Sequence, residues 1–140
     1  YELMWEAYKN NLIYGATPQW LLEAGDVRRM SLEQLSESAR KAGFLIVEAH
    51  PFRYDSVIMD DRLLDGVEVY NANKNHDSHD YLAELWAEKK HLIRTTGSDF
   101  HDPHDHTAAG IMTEEPIEDN ETLLRVLRSG AYELIRPDMD

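Results

Sequence analysis

Three short apolar runs, at residues 44–47, 67–70 and 92–96, divide the chain, and each leads within a few positions to a polar side chain able to do chemistry: His50, Asn71 and the Asp99/His101 pair. Runs of this length bounded by polar or Gly-rich segments read as buried strands. The stretches between them carry helical spacing. Ser31 with Gln34 three residues on forms a capping-box pattern, and Leu32, Leu35, Ala39 and Ala42 then fall on one face until Gly43 stops the helix. A second helix is expected over about 77–90, with Tyr81, Leu82, Leu85 and Trp86 facing inward. Residues 11–14 before Gly15 and residues 110–113 read as further short strands. Asn120 can cap a helix through Leu123, Leu124 and Leu127 to Gly130, and residues 131–135 close as a strand.

Strands alternating with helices of this length predict an α/β fold of parallel βαβ units with right-handed crossovers. The pattern admits an open sheet or a barrel. In either, ligands gather at the carboxyl ends of the strands, where His50, Asn71, Asp99 and His101 stand. With 140 residues, 42% of them hydrophobic, and no internal repeat, residues 1–140 are expected to form a single domain.

Composition narrows the chemistry. Cysteine is absent, which removes disulfides, thiolate ligands and a cysteine nucleophile together, so any metal must be held by His, Asp or Glu. A formal net charge of −13 repels long polyanions and disfavours general nucleic-acid binding. No apolar run approaches the roughly 20 residues a membrane helix needs, so no membrane partner and a cytoplasmic location are expected. The chain opens on Tyr1 and has no histidine before His50, and so reads as part of a larger protein.

Asp99 and His101 lie two apart, which on an extended segment puts both on one face with Phe100 turned away. A carboxylate and a neutral imidazole at that spacing suit Zn, Mn or Fe; the competing reading is a turn in which Gly97, Ser98 and Asp99 cap the following loop. Pro51 biases His50 toward an extended backbone, and His50 taken alone reads first as an imidazole satisfied by a backbone carbonyl. Arg53 is placed to clamp a phosphate or to pair with an acid such as Asp55 or Asp60. Asn71 either orients a ligand or terminates its strand. His104 and His106 lie in a polar loop that reads as solvated, and His76, His79 and His91 as structural or surface residues. No Gly-rich nucleotide loop, nucleophile elbow or His-Glu-x-x-His helix is present.

Ala49-His50-Pro51-Phe52-Arg53, Gly66-Val67-Glu68-Val69-Tyr70-Asn71 and Gly97-Ser98-Asp99-Phe100-His101, in this order and spacing, resemble the polymerase and histidinol phosphatase (PHP) domain of metal-dependent phosphoesterases. The resemblance extends over about residues 1–135. It implies the C-terminal part of a distorted (β/α)7-type barrel with divalent metal ions at the strand ends, and makes His50, Asp99 and His101 metal ligands. Glu2 resembles the bridging glutamate of the family's Gly-x-Glu segment and is implied as a fourth. The family's opening His-x-His motif and its next Asp/His segment have no counterpart here, so the implied metal set is incomplete.

The expected function is hydrolysis of a phosphomonoester or phosphodiester by metal-activated water, with Arg53 and Asn71 on a small phosphorylated substrate and this chain alone expected to be inactive. A nucleotide or short oligonucleotide stays within that class. The alternative is a degenerate, non-catalytic metal-binding or assembly module. An incomplete barrel leaves an open edge, so self-association is also expected.

Overall fold

The computed structural model describes residues 2–5, 9–105 and 108–137, with side chains from residue 10 onward. Among these residues the elements follow in the order β1 (Glu2–Trp5), β2 (Lys9–Tyr14), α1 (Pro18–Ala24), α2 (Leu32–Lys41), β3 (Leu45–Glu48), β4 (Gly66–Asn71), α3 (Asp80–Lys90), β5 (Ile93–Gly97), β6 (Gly110–Met112), α4 (Asn120–Ser129) and β7 (Glu133–Ile135). Single 3-10 turns at Val27–Arg29 and Asp61–Leu63 punctuate the connections.

The first five strands form one sheet in chain order, and β6 with β7 forms a second. β3, β4 and β5 run parallel, as the alternation predicts. β2 runs antiparallel to β3, and β1 antiparallel to β2, which departs from the all-parallel expectation. The reason lies in the connection. A parallel crossover has one helical pass, whereas two helices, α1 and α2, separate β2 from β3. β6 and β7 are also antiparallel, with segment 113–119 and α4 between them. Thr96 joins the two sheets: its Oγ1 donates to the Gly110 carbonyl at 2.6 Å and accepts from the Gly110 amide at 2.7 Å.

One face of the large sheet presents Ile13, Ile46, Val67 and Val69, which pack with Leu35 and Ala39 of α2 in the main core. Leu45 belongs to a second cluster with Leu124 and Leu127 of α4. α2 begins where its capping box places it: Gln34 N donates to Ser31 Oγ at 3.2 Å and Ser31 N to Gln34 Oε1 at 2.9 Å. Ala42 is its exposed C-cap rather than part of the buried face.

α3 differs more. It starts at Asp80, after His79 in a left-handed conformation, and buries Ala83 and Ala87, while Tyr81 and Leu85 are each 59% exposed. Alanine lets a helix lie close on a sheet, and the close approach turns the larger residues at 81 and 85 outward. Leu82 and Trp86 are half-buried, and Trp86 meets Phe52 edge-on at 5.9 Å. α4 is capped by Asp119 rather than Asn120, its Oδ1 accepting from Thr122 N at 2.7 Å. α1 was not expected from spacing. It is built on Thr17, whose Oγ1 accepts from Trp20 N at 3.1 Å, with Pro18 opening the first turn.

Candidate functional site

β3, β4 and β5 end side by side, and the segments leaving them build one polar site. β3 stops at Glu48 and the chain turns at once. Arg53 N donates to the His50 carbonyl at 3.2 Å, closing a turn with Pro51 in its second position, where a fixed φ is favourable. His50 itself sits at φ +31 rather than extended. It is held there by its own amide, which donates to Glu68 Oε2 on β4 at 2.9 Å. A second non-glycine residue at positive φ, Asp99 at +51, follows the end of β5 by two positions. Two such conformations, at the ends of the strands that flank β4, are maintained because the surroundings over-determine them.

The His50 ring is buried and bonded at both nitrogens. Asn10 Nδ2 on β2 donates to Nε2 at 3.1 Å, which makes Nε2 the unprotonated nitrogen and leaves Nδ1–H to donate to Ser56 Oγ at 3.1 Å. Burial, reinforced by the Arg53 charge, depresses its pKa and keeps it neutral.

Asp99 is the hub. Burial works to raise its pKa, but the Arg53 guanidinium, with His50 and His101 nearby, holds it below the usual carboxylate range. Arg53 Nη2 donates to Asp99 Oδ2 at 2.9 Å, in an ion pair whose side chains are only 9% and 8% exposed. Ser78 Oγ, also buried, accepts from Arg53 Nε at 3.3 Å and Nη2 at 3.1 Å. On the other side His101 Nδ1 lies 3.2 Å from Asp99 Oδ1 and 3.0 Å from the Asp99 carbonyl, a contact made through a turn with Asp99 at φ +51 rather than on the extended segment expected from the spacing. Asn73 Nδ2 donates to the Asp99 carbonyl at 3.1 Å and locks the turn from the β4 side.

Beneath the site is Glu68, fully enclosed and pushed up to about 7 by burial. Its Oε2 accepts from both His50 N and Asn71 Nδ2, the latter at 3.0 Å. Gly97 leaves room beside it, since a Cβ there would stand 2.5 Å from Glu68 Oε1 and the carboxyl would have to shift. Asn71 is buried and committed to Glu68 and to the amide of Asn73, which donates to its Oδ1 at 3.0 Å.

The result is an open pocket of about 630 Å³ whose lining includes Asn10, His50, Arg53, Asn73, Asp99 and His101. Asn71 is not among its lining residues. The backbone of Glu2 pairs with Leu12 at the far edge of the sheet, and its side chain lies outside the described residues, as does His106. His104 is exposed. Among the described residues no three His, Asp or Glu side chains converge as a ready metal cage. The ionisation states nevertheless suit a divalent cation: a charged carboxylate beside one imidazole, with a neutral second imidazole in the same pocket.

Asn10, Ser56, Asn73 and Ser78 were not anticipated. Asn10 stands 40 positions from His50 and Ser78 25 from Arg53, so only the pairing of β2 with β3 and the docking of α3 reveal them. The recurrence of Asn at 71, 73 and 75 was a usable signal, since Asn side chains bond the backbone two residues on.

No family model matches the chain, and no curated protein matches it. Among solved structures it is similar to PsfC from Pseudomonas syringae, with a TM-score of 0.64 and 24% identity over 84% of this chain and 50% of that one. The chain thus spans about half the length of PsfC, and the likeness establishes a shared fold. A looser similarity, TM-score 0.45 and 22% identity over 70% of this chain and 36% of the other, is to a Bifidobacterium adolescentis protein described as a "putative metal-dependent phosphoesterase". Among the described residues no helix is long and apolar enough to cross a membrane.

Proposed function

We propose that this chain supplies part of the active site of a metal-dependent phosphoesterase of the PHP type, hydrolysing a small phosphomonoester or phosphodiester. The observation that carries the reading is the meeting of Asp99, His101, His50 and Arg53 in one pocket at the ends of β3 and β5, with two of the four at positive φ. In this reading Asp99, His101 and His50 are ligands to Zn, Mn or Fe, Glu2 is a further ligand, and the remaining donors come from outside the described residues. The distorted barrel belongs to the same proposal.

Bound divalent metal would bring the pKa of a coordinated water toward neutrality and neutralise charge on the phosphoryl oxygens. The chain's own residues supply the rest. Burial holds His50 in the neutral form that a ligand needs, and Arg53 holds Asp99 ionised. Arg53 lines the pocket and is placed to bind a phosphate oxygen. Asn73 and Glu68 fix the backbones of Asp99 and His50, so the donors need little rearrangement. No protein nucleophile is needed. The acidic surface favours a small substrate over a long nucleic acid.

The test is hydrolysis of p-nitrophenyl phosphate with added Mn²⁺ by the intact protein. Asp99→Asn should lower turnover by about 100-fold or more while leaving the circular dichroism spectrum in place. Unchanged turnover in that variant would remove the assignment.

A second reading, a non-catalytic module used for cation binding or assembly, is favoured by the Arg53–Asp99 ion pair and by the lack of a gathered trio of donors. Self-association belongs with it, through the outer edge of β1, the terminal strand of the sheet. A monomer at micromolar concentration by light scattering would speak against that association.

A further inference from the structure

The Arg53–Asp99 pair poses a problem for the proposed site, and the problem is informative. Asp99 Oδ2 is taken by the Arg53 guanidinium at 2.9 Å and Oδ1 faces His101 at 3.2 Å. A divalent cation approaching Oδ2 meets a positive charge that is already in place. Arg53 is not there by accident of rotamer. Ser78 Oγ accepts from two of its nitrogens, Ser78 is 4% exposed, and the Arg53 and Asp99 side chains are both under 10% exposed. Asp99 is equally fixed, with its carbonyl held by Asn73 and its backbone at φ +51.

With both side chains under 10% exposed, an ionised carboxylate left without a counter-charge is costly, so Asp99 stays ionised only with a cation beside it. Without metal, Arg53 fills that role. With metal on Oδ2, Arg53 loses its partner and is itself a buried charge in need of an anion, and the nearest use for it is a phosphate in the pocket it lines.

We propose that Arg53 is the resident cation of this site, and that a divalent metal and phosphate bind cooperatively because the metal that takes Asp99 releases Arg53 to the phosphate. This inference rests on the phosphoesterase reading and adds to it a linkage: each ligand raises the affinity for the other. Binding linkage is reciprocal, so phosphate must raise metal affinity by the same factor that metal raises phosphate affinity. Couplings of this kind amount to about 5–150-fold.

The experiment is calorimetric titration of Mn²⁺ into the intact protein, with and without inorganic phosphate, for the wild type, Arg53→Gln and Ser78→Ala. The wild type should bind Mn²⁺ more tightly with phosphate present, within the range of about 5–150-fold. Arg53→Gln should bind Mn²⁺ more tightly than the wild type without phosphate, and phosphate should then add little. Ser78→Ala, which only loosens the guanidinium, should move the same way by a smaller factor, and it keeps the test available if Arg53→Gln does not fold. Metal binding confined to the variants, with none by the wild type even in phosphate, would overturn the cooperative release. Equal Mn²⁺ affinity in wild type and variants, or weaker binding in the variants, would overturn it while leaving a metal site standing. No Mn²⁺ binding by any of the three, with or without phosphate, would overturn the phosphoesterase reading and this inference together.

Discussion

At the scale of single residues, the site is a set of buried polar groups that specify one another's positions. His50 is neutral because burial outweighs the nearby acids, and Asp99 is ionised because Arg53 outweighs burial. Glu68 links the two strand ends by accepting from His50 N, and its carboxyl fills the space a side chain at position 97 would enter. Gly97→Ala should therefore cost about 1–3 kcal/mol in urea unfolding, since the added methyl cannot fit without moving an enclosed carboxyl. An unchanged urea midpoint would mean that Glu68 can swing away. The motif residues His50, Arg53, Asp99 and His101 stood out in the sequence because each follows an apolar run closely. Their supports did not, because Asn10 and Ser78 reach the site across the fold and carry no local pattern.

At the scale of elements, what could be read from the chain was whatever its periodicity and caps express. α2 is bounded by Ser31 and Gln34 as the capping box requires, and β3, β4 and β5 lie within a residue or two of the apolar runs. Ser31→Ala removes the side-chain oxygen that receives Gln34 N and should cost about 1 kcal/mol, measured as a lowered thermal midpoint. A midpoint that did not move would leave α2 held by packing alone. The buried face of α3 escaped because Ala83 and Ala87 give almost no hydrophobic signal, while Tyr81 and Leu85 give a strong one and are exposed. α1, a helix of 7 residues, is too short for its spacing to be read. Missing it also hid the reversal of β2, since the second helical pass before β3 is what turns the strands antiparallel.

At the scale of the whole molecule, an acidic surface surrounds two buried glutamic acids on the same sheet. Burial pushes Glu48 up to about 8, against the Met59 amide that bonds it, and Glu68 to about 7. Both ordinary values are 4.5, so between pH 4.5 and about 8 the folded chain binds protons that the unfolded chain has released. Stability should therefore fall as pH rises through that window and be fully present below it, with a slope of about 1 kcal/mol per pH unit from each group. Thermal unfolding between pH 5 and 8 checks the sign, and Glu48→Gln should flatten the profile; a stability that rises with pH would refute the assignment of these groups as neutral.

The likeness to PsfC fixes the fold of a chain half that protein's length, and the pocket at the strand ends carries the functional reading. The most direct test of that reading is anomalous scattering from crystals grown with Mn²⁺ and inorganic phosphate. The account predicts a manganese peak in contact with Asp99, beside His101 and His50, with Arg53 turned from the carboxylate to a phosphate oxygen. Manganese found elsewhere, or none at all with Arg53 still on Asp99, would contradict it.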